Sequence, residues 1–445
     1  MSRTTQKMKQ KLSRKPLLHP VIWLLLATLV VVSAFGLAQI PEVRDRMTPR
    51  IARLRVAIKE VVAPPEKSVF VPQGAPTSTQ AGEVIATATL PAPTDVPVMV
   101  VTVMATPTVT EVPVAMDTPE PIYLPPTTWL EGFTIEYQTF NNCGPANLSM
   151  LLNYWGYLTS QADLKPFLRP SREDRNVNLY EMRDYVNANT QLRAVMRYGG
   201  DLTMLKRLVA AGFPVLLERG HTDPKEGWMG HYSIVNAYND DRQRVHIPDS
   251  LVGNLYLSYE DLMKDWLHFA NVYMVVYPIE REYEVLDILG SQADAVTNLV
   301  STSEQLIGTI YETSGQDQFF AWYSQGTILT ELGRYADAAE AYDQAFLIYP
   351  TLEMKQRPWR LTWYQTGPYR AYYEVGRYQD ALSLAIKTID DTTEDSLPET
   401  WWWAGRAAAA LGQYEDAANY FRQALYWYPG WQLAIDQLAY LGLQP

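Results

Sequence analysis

The sequence is poor in the residues that build metal and redox centres, with one cysteine and five histidines among 445 residues. A single thiol leaves no intrachain disulfide and no thiolate zinc cluster. The histidines fall in no H-E-x-x-H or similar spacing, so neither a metal nor any other cofactor is expected. Basic charge is scarce beyond residue 60: the first 60 residues hold 12 Lys/Arg against 3 Asp/Glu, and the rest hold 25 against 46. An acidic body repels polyanions, which argues against nucleic acid as a partner. With 47% hydrophobic and 19% charged residues, the chain has the composition of about two to four globular units, not of a disordered or collagenous protein.

One long apolar run is present. Arg3, Lys7, Lys9, Lys11, Arg14 and Lys15 precede an uncharged stretch whose apolar centre, 21–38, has the length of a membrane-spanning helix. This predicts a basic cytoplasmic tail over 1–20 and a retained signal anchor over 21–40. Gly36-Leu37-Ala38 has the small-x-small form of a signal-peptidase site, so a cleaved signal is the alternative. Arg44, Arg46, Arg50, Arg53, Arg55 and Lys59 follow the run, which ties the basic count on its two sides. Residues 61–126 contain 13 prolines among Val, Thr and Ala. Proline at that density removes ladder donors and favours polyproline II, so 41–127 reads as a basic juxtamembrane segment followed by a disordered linker. A Thr/Pro stalk after a single span points to an extracytoplasmic body.

Globular patterning begins near Thr128. Helical periodicity covers 145–157, 161–168, 179–188, 202–211 and 259–267, and β-rich segments cover 192–197, 213–219, 231–238, 244–248 and 272–277. Helices come mostly first and strands later, which predicts one α+β domain over 128–280.

The lone cysteine lies within it, in Asn141-Asn142-Cys143-Gly144-Pro145. Proline after Gly144 and an apolar stripe at Leu148, Leu151, Leu152 and Trp155 place Cys143 at a helix N-terminus. The partial positive charge there favours thiolate, and free N–H groups suit a tetrahedral oxyanion. Gln138, five residues earlier, can offer its amide to the same oxyanion. A lone cysteine is more often a small buried hydrophobe, but a polar turn is a poor place to bury one. His231 heads a strand after a loop, where one ring nitrogen can face a cleft as a general base. Asp249 ends the next strand, and a hairpin of that length returns its carboxylate to the imidazole. The other histidines have plainer readings: His221 in an exposed loop, His246 on a sheet face, and His268 as a cation at a helix end.

These residues resemble the bacteriocin-processing peptidases that remove double-glycine leaders, a papain-like cysteine peptidase group, and above all their stand-alone relatives. The resemblance runs over roughly 128–280. It implies an oxyanion role for Gln138, a nucleophile at Cys143, a base at His231 and an orienting acid at Asp249. Asn142 departs from the Asp that often precedes the family's cysteine. No exporter or ATPase is attached, so the exporter-coupled role is not implied.

From 283 onward the chain is helical and self-similar. Trp322, Gly326, Gly333, Tyr335, Ala338, Tyr342, Ala345 and Pro350 fall at the signature spacing of a tetratricopeptide repeat, which Trp401, Gly405, Gly412, Tyr414, Ala417, Phe421, Ala424 and Pro429 reproduce. Tyr372, Gly376, Tyr378 and Ala381 mark a divergent middle copy, with an insertion around Lys355 to Trp359 and Thr388 in place of a small residue. The repeats are expected at 319–352, 362–395 and 398–431, followed by a capping helix. Such solenoids receive extended or helical peptides. The whole therefore reads as a membrane-anchored, extracytoplasmic cysteine peptidase acting on a peptide or protein substrate, with repeats that hold a protein or peptide partner. A catalytically idle peptide-binding scaffold, or an acyl or amide transferase using the same triad, are the alternatives.

Overall fold

Alternating apolar residues between positions 127 and 278 build two antiparallel sheets, and the helical stripes between them cover the sheets' faces. The structure is a computed structural model that describes residues 69–74, 124–170, 176–223, 227–392 and 396–445. The predicted tail and anchor, 1–40, lie outside the described residues. Among those described, no helix is long and apolar enough to cross a membrane.

The first domain begins with strand β1 (Thr127–Trp129), then helices α1 (Cys143–Tyr154), α2 (Gln161–Leu168) and α3 (Leu179–Asn189). Strand β2 (Leu192–Arg197) and helix α4 (Leu202–Ala210) lead into β3 (Val215–Asp223), β4 (Gly227–Val235), β5 (Ala237–Asn239), β6 (Arg244–Asp249) and β7 (Gly253–Ser258). Helix α5 (Tyr259–Leu267) and β8 (Tyr273–Pro278) close it. One sheet runs β1-β5-β6-β7 and the other β2-β8-β3-β4. The segment read as one strand over 231–238 is two strands in different sheets. Asn236 makes the break, donating its side chain to the Leu130 carbonyl at 2.9 Å and its backbone N–H to the His246 carbonyl at 3.3 Å. His221, expected in a loop, lies in β3 opposite Met229, because the strand continues past Arg219.

Helix α6 (Glu282–Leu289) and α7 (Ala295–Glu312) precede three helix pairs: α8 (Gly315–Glu331) with α9 (Tyr335–Ile348), α11 (Gly367–Glu374) with α12 (Tyr378–Asp391), and α13 (Pro398–Ala410) with α14 (Tyr414–Trp427). A short helix α10 (Leu361–Tyr364) lies in the insertion before the second pair, and α15 (Gln432–Tyr440) caps the array. Thr388 has a structural reason in the divergent copy: its hydroxyl accepts from Tyr369 at 2.8 Å and lies 3.0 Å from that of Thr362.

The two parts share one apolar core. The indole of Trp228 on β4 stacks on Phe269 (5.9 Å) and on Phe320 of α8 (5.8 Å), with Tyr364 of α10 edge-on at 5.9 Å. Polar ties flank the stack: Arg360 donates to the Trp228 carbonyl (3.0 Å), Gln365 to the His268 carbonyl (2.8 Å) and Ser324 to the Leu267 carbonyl (2.8 Å). His268, expected to be a cation at its helix end, is neutral: burial, then Lys264 and Arg219, push its pKa down to about 3. Its ring stacks on Phe320 at 3.6 Å and accepts from Trp228 Nε1 at 3.1 Å.

Within the stretch read as structureless linker, residues 69–74 have a fixed place. Phe70 and Pro72 are buried against the repeats while Val71 is exposed, and Gln73-Gly74 form an exposed turn.

Candidate active site

The turn before α1 places Cys143 at the helix start. Asn141 takes a left-handed φ of 53°, which Asn tolerates better than most residues. Asn142 is fully buried: its Nδ2 donates to Gln161 Oε1 at 2.7 Å, and its Oδ1 accepts from Arg169 Nη1 at 3.1 Å. An Asp there would lack the donor for Gln161, which accounts for the amide at this position. With its side chain committed, Asn142 does not cap α1, so the first-turn N–H groups beside the half-buried Cys143 receive no side-chain cap.

His231 stands on β4, buried, with Nε2 at 2.8 Å from Asp249 Oδ2 at the end of β6. Nδ1 is therefore the ring nitrogen left for the Cys143 thiol, to which the imidazole is electrostatically coupled. The second carboxylate oxygen, Oδ1, accepts from the backbone N–H groups of Leu251 (2.7 Å) and Val252 (3.1 Å). Arg219, paired opposite His231 across β3 and β4, reaches within 4.0 Å of Asp249 Oδ2 and donates to Ser233 Oγ and Asp265.

Burial alone would raise the Cys143 thiol, but the hydrogen bond and charge of His231, the Tyr232 backbone and the Arg169 charge lower it below its ordinary value. Burial opposes the His231 cation, yet its hydrogen bonds to Asp249 and Cys143 and their charges raise it to about 9. For Asp249, burial is outweighed by His231 and by the two N–H donors, which bring it down to about 2. The arrangement thus favours imidazolium at His231 and carboxylate at Asp249 and shifts Cys143 toward thiolate.

Gln138 joins this group from the opposite side. Its Oε1 accepts from Ser250 Oγ at 2.8 Å and its N–H donates to the Ser250 carbonyl at 2.8 Å. With Oε1 held, Nε2 is the end left to donate, and it has no hydrogen-bond partner among the described residues. Asn147 ties the parts together. From one buried nitrogen, Nδ2, it reaches Cys143 O (2.9 Å), Tyr232 O (3.1 Å) and Ser250 Oγ (3.0 Å).

All four residues singled out in the sequence thus belong to one hydrogen-bonded assembly. Asn147, Ser250 and Arg219 were not foreseen. Arg219 carried a signal, since Glu218-Arg219 ends the apolar run within β3; Asn147 and Ser250 look like ordinary helix and turn residues. Gly230, before His231, is also explained: a Cβ there would lie 2.8 Å from Phe269 and 3.2 Å from Tyr364. Tyr364 thereby brings the repeat region against the strand that carries the histidine.

The class defined by this fold and site is a papain-like α+β thiol domain followed by helical repeats. Residues 122–277 match the Peptidase_C39 like family, and 319–352 and 398–431 match the tetratricopeptide repeat, so the chain joins a Peptidase_C39-like domain to tetratricopeptide repeats. The middle helix pair lies outside both repeat matches. Among solved structures, the chain is similar to a double-glycine motif protease from an AMS/PCAT transporter in complex with the leader peptide (17% identity, 34% of this chain, 94% of that chain, TM-score 0.26). It is also similar to a C39-like peptidase from Bacillus anthracis (15%, 34% and 96%, TM-score 0.29) and to the peptidase domain of Streptococcus ComA (16%, 33% and 99%, TM-score 0.27). No curated protein matches the chain.

Proposed function

We propose that this protein is a cysteine peptidase that hydrolyses peptide bonds, held at a membrane by its N-terminal apolar run with the catalytic and repeat regions outside the cytoplasm. The observation that carries the reading is the series of Cys143, His231 and Asp249, in which Asp249 is hydrogen-bonded to His231 and His231 is coupled to the Cys143 thiol. Asp249 holds His231 as the imidazolium, and His231 lowers the Cys143 thiol toward the thiolate that a nucleophile requires. The Cys143 thiolate attacks the substrate carbonyl carbon. The oxyanion that forms is held by Gln138 Nε2 and the Cys143 N–H at the start of α1. His231 gives its Nδ1 proton to the leaving amine, and the thioester is then hydrolysed by a water that His231 deprotonates. Asp249 stays ionised throughout and stabilises the imidazolium. The repeats serve as a binding array for a protein or peptide partner.

The test is a peptide library incubated with the intact chain and with Cys143→Ala. Cleavage by the first and not by the second is expected. Products that appear only when an amine acceptor is added would replace hydrolysis with acyl transfer. Absence of turnover, together with a cellular role that survives Cys143→Ala, would leave a binding scaffold.

A further inference from the structure

Residues 69–74 touch a part of the molecule far away in sequence, and they do so as a bound peptide does. Gln73 donates its backbone N–H to Asp380 Oδ1 at 2.7 Å, across 307 positions. The Phe70 ring packs among buried aromatics of the repeats and, with Phe319, Tyr323, Phe346 and Leu384, walls a cavity there. It meets Phe346 edge-on at 5.0 Å and lies 6.2 Å from Tyr372. Pro72 is buried beside it, and Val71 and Gln73 face outward. Gly74 lies so close to Arg377 that a Cβ would stand 2.7 Å from the guanidinium carbon.

The receiving surface is built and rigid. Arg377 is fixed by Asp343 (2.7 and 3.0 Å) and by Asp380 Oδ2 (2.8 Å), and Tyr372 donates to Asp343 Oδ1 at 2.8 Å. Asp343 and Asp380 are both buried. Asp380 gives one oxygen to Arg377 and the other, Oδ1, to the Gln73 amide. With the segment docked this carboxylate is buried, and the Gln73 N–H supplies the donor that its Oδ1 needs. The groove meets main chain through Asp380 and side chains through its buried aromatics and the close approach at Arg377, so both backbone and side chains of a peptide are recognised.

We propose that the cleft between the first two repeats is a binding site for peptides of the pattern Phe-x-Pro-x-Gly, and that residues 69–74 are its ligand in cis. The proposal deepens the reading of the repeats as a peptide-binding array and does not rest on proteolysis. A tethered ligand acts at millimolar effective concentration, so a peptide in trans competes poorly until the resident segment is weakened.

The experiment titrates a fluorescent peptide of residues 68–75 onto the full chain and onto Phe70→Ala. Two control peptides are used, one with Phe70 replaced by Ala and one N-methylated at Gln73. The expected result is binding to Phe70→Ala at least tenfold tighter than to the unsubstituted chain, with both control peptides at least tenfold weaker. Equal binding of all three peptides, or no gain on Phe70→Ala, would overturn the proposal. If an unrelated extended peptide binds the repeats while the 68–75 peptide does not, this inference fails and the broader peptide-binding reading stands. A second measurement is independent of the variant's folding: hydrogen exchange on the unsubstituted chain, where protection of the Gln73 amide is expected and exchange at the free-chain rate would contradict the docked ligand.

Discussion

Asp249 acts on Cys143 only through His231, so its substitution separates geometry from charge. In Asp249→Asn the imidazolium loses its anionic partner, and the His231 value of about 9 falls. Cleavage by the intact protein should decline as pH rises through about 9, where His231 gives up its proton. In the variant that decline should move to lower pH, with the rate at neutral pH down by about 10²- to 10⁴-fold. A pH and rate profile of both proteins checks this; an unmoved alkaline limb would mean that another group sets it. At this scale the sequence was most informative about the residues that carry chemistry. Cys143 is the only thiol, and the Gly-Pro that follows it announces a helix start. Asn147, whose one amide nitrogen reaches three acceptors, looks like any polar residue on a helix, since its partners are set by strand packing 85 and 103 positions away.

Helices and strands were legible wherever period and length agreed. The two missed strands are β1, three residues long, and β7, at the edge of its sheet with several positions exposed. Both are edge strands of one sheet, and Gly253 is the one residue in them that is buried, so neither offers the buried apolar face that marks a strand in a sequence. In the repeats, the small residues do what their spacing suggested. A Cβ at Gly326 would stand 2.7 Å from the Tyr342 ring, and one at Gly405 2.5 Å from Phe421. Gly405→Ala should therefore destabilise the protein by about 1–3 kcal/mol through overpacking, read as a lower urea midpoint. Gly412, also in the repeat signature, has a φ of 78° and open space around it. Gly412→Ala should lower stability through backbone strain without disturbing that helix contact, because a left-handed φ disfavours any Cβ. An unchanged midpoint in Gly405→Ala would show that the helices separate at little cost.

The association of the Peptidase_C39-like domain with the repeats could not be read from the sequence. Trp228, Phe269, Phe320 and Tyr364 have the same signature as ordinary core aromatics, and nothing in their spacing reveals that they meet each other. Their shared stack, with the ties from Ser324, Arg360 and Gln365, makes the repeats part of the support beneath β4 and His231. A chain ending at residue 280 would leave Trp228 and Phe269 uncovered on that side. It should bind the apolar dye ANS and unfold at lower temperature than the same region within the full protein. A fragment as stable as the whole, with no dye binding, would show that the interface adds nothing.

The account depends on a thiolate at Cys143 poised by its imidazolium neighbour. Because the chain has one cysteine, the rate of iodoacetamide alkylation of the intact, folded protein reports on that sulfur alone. Its dependence on pH is the most direct test. The account predicts that the rate persists as pH is lowered from 8 to 6. A rate that falls about tenfold per pH unit below roughly 8.5, as for an ordinary thiol, would contradict it.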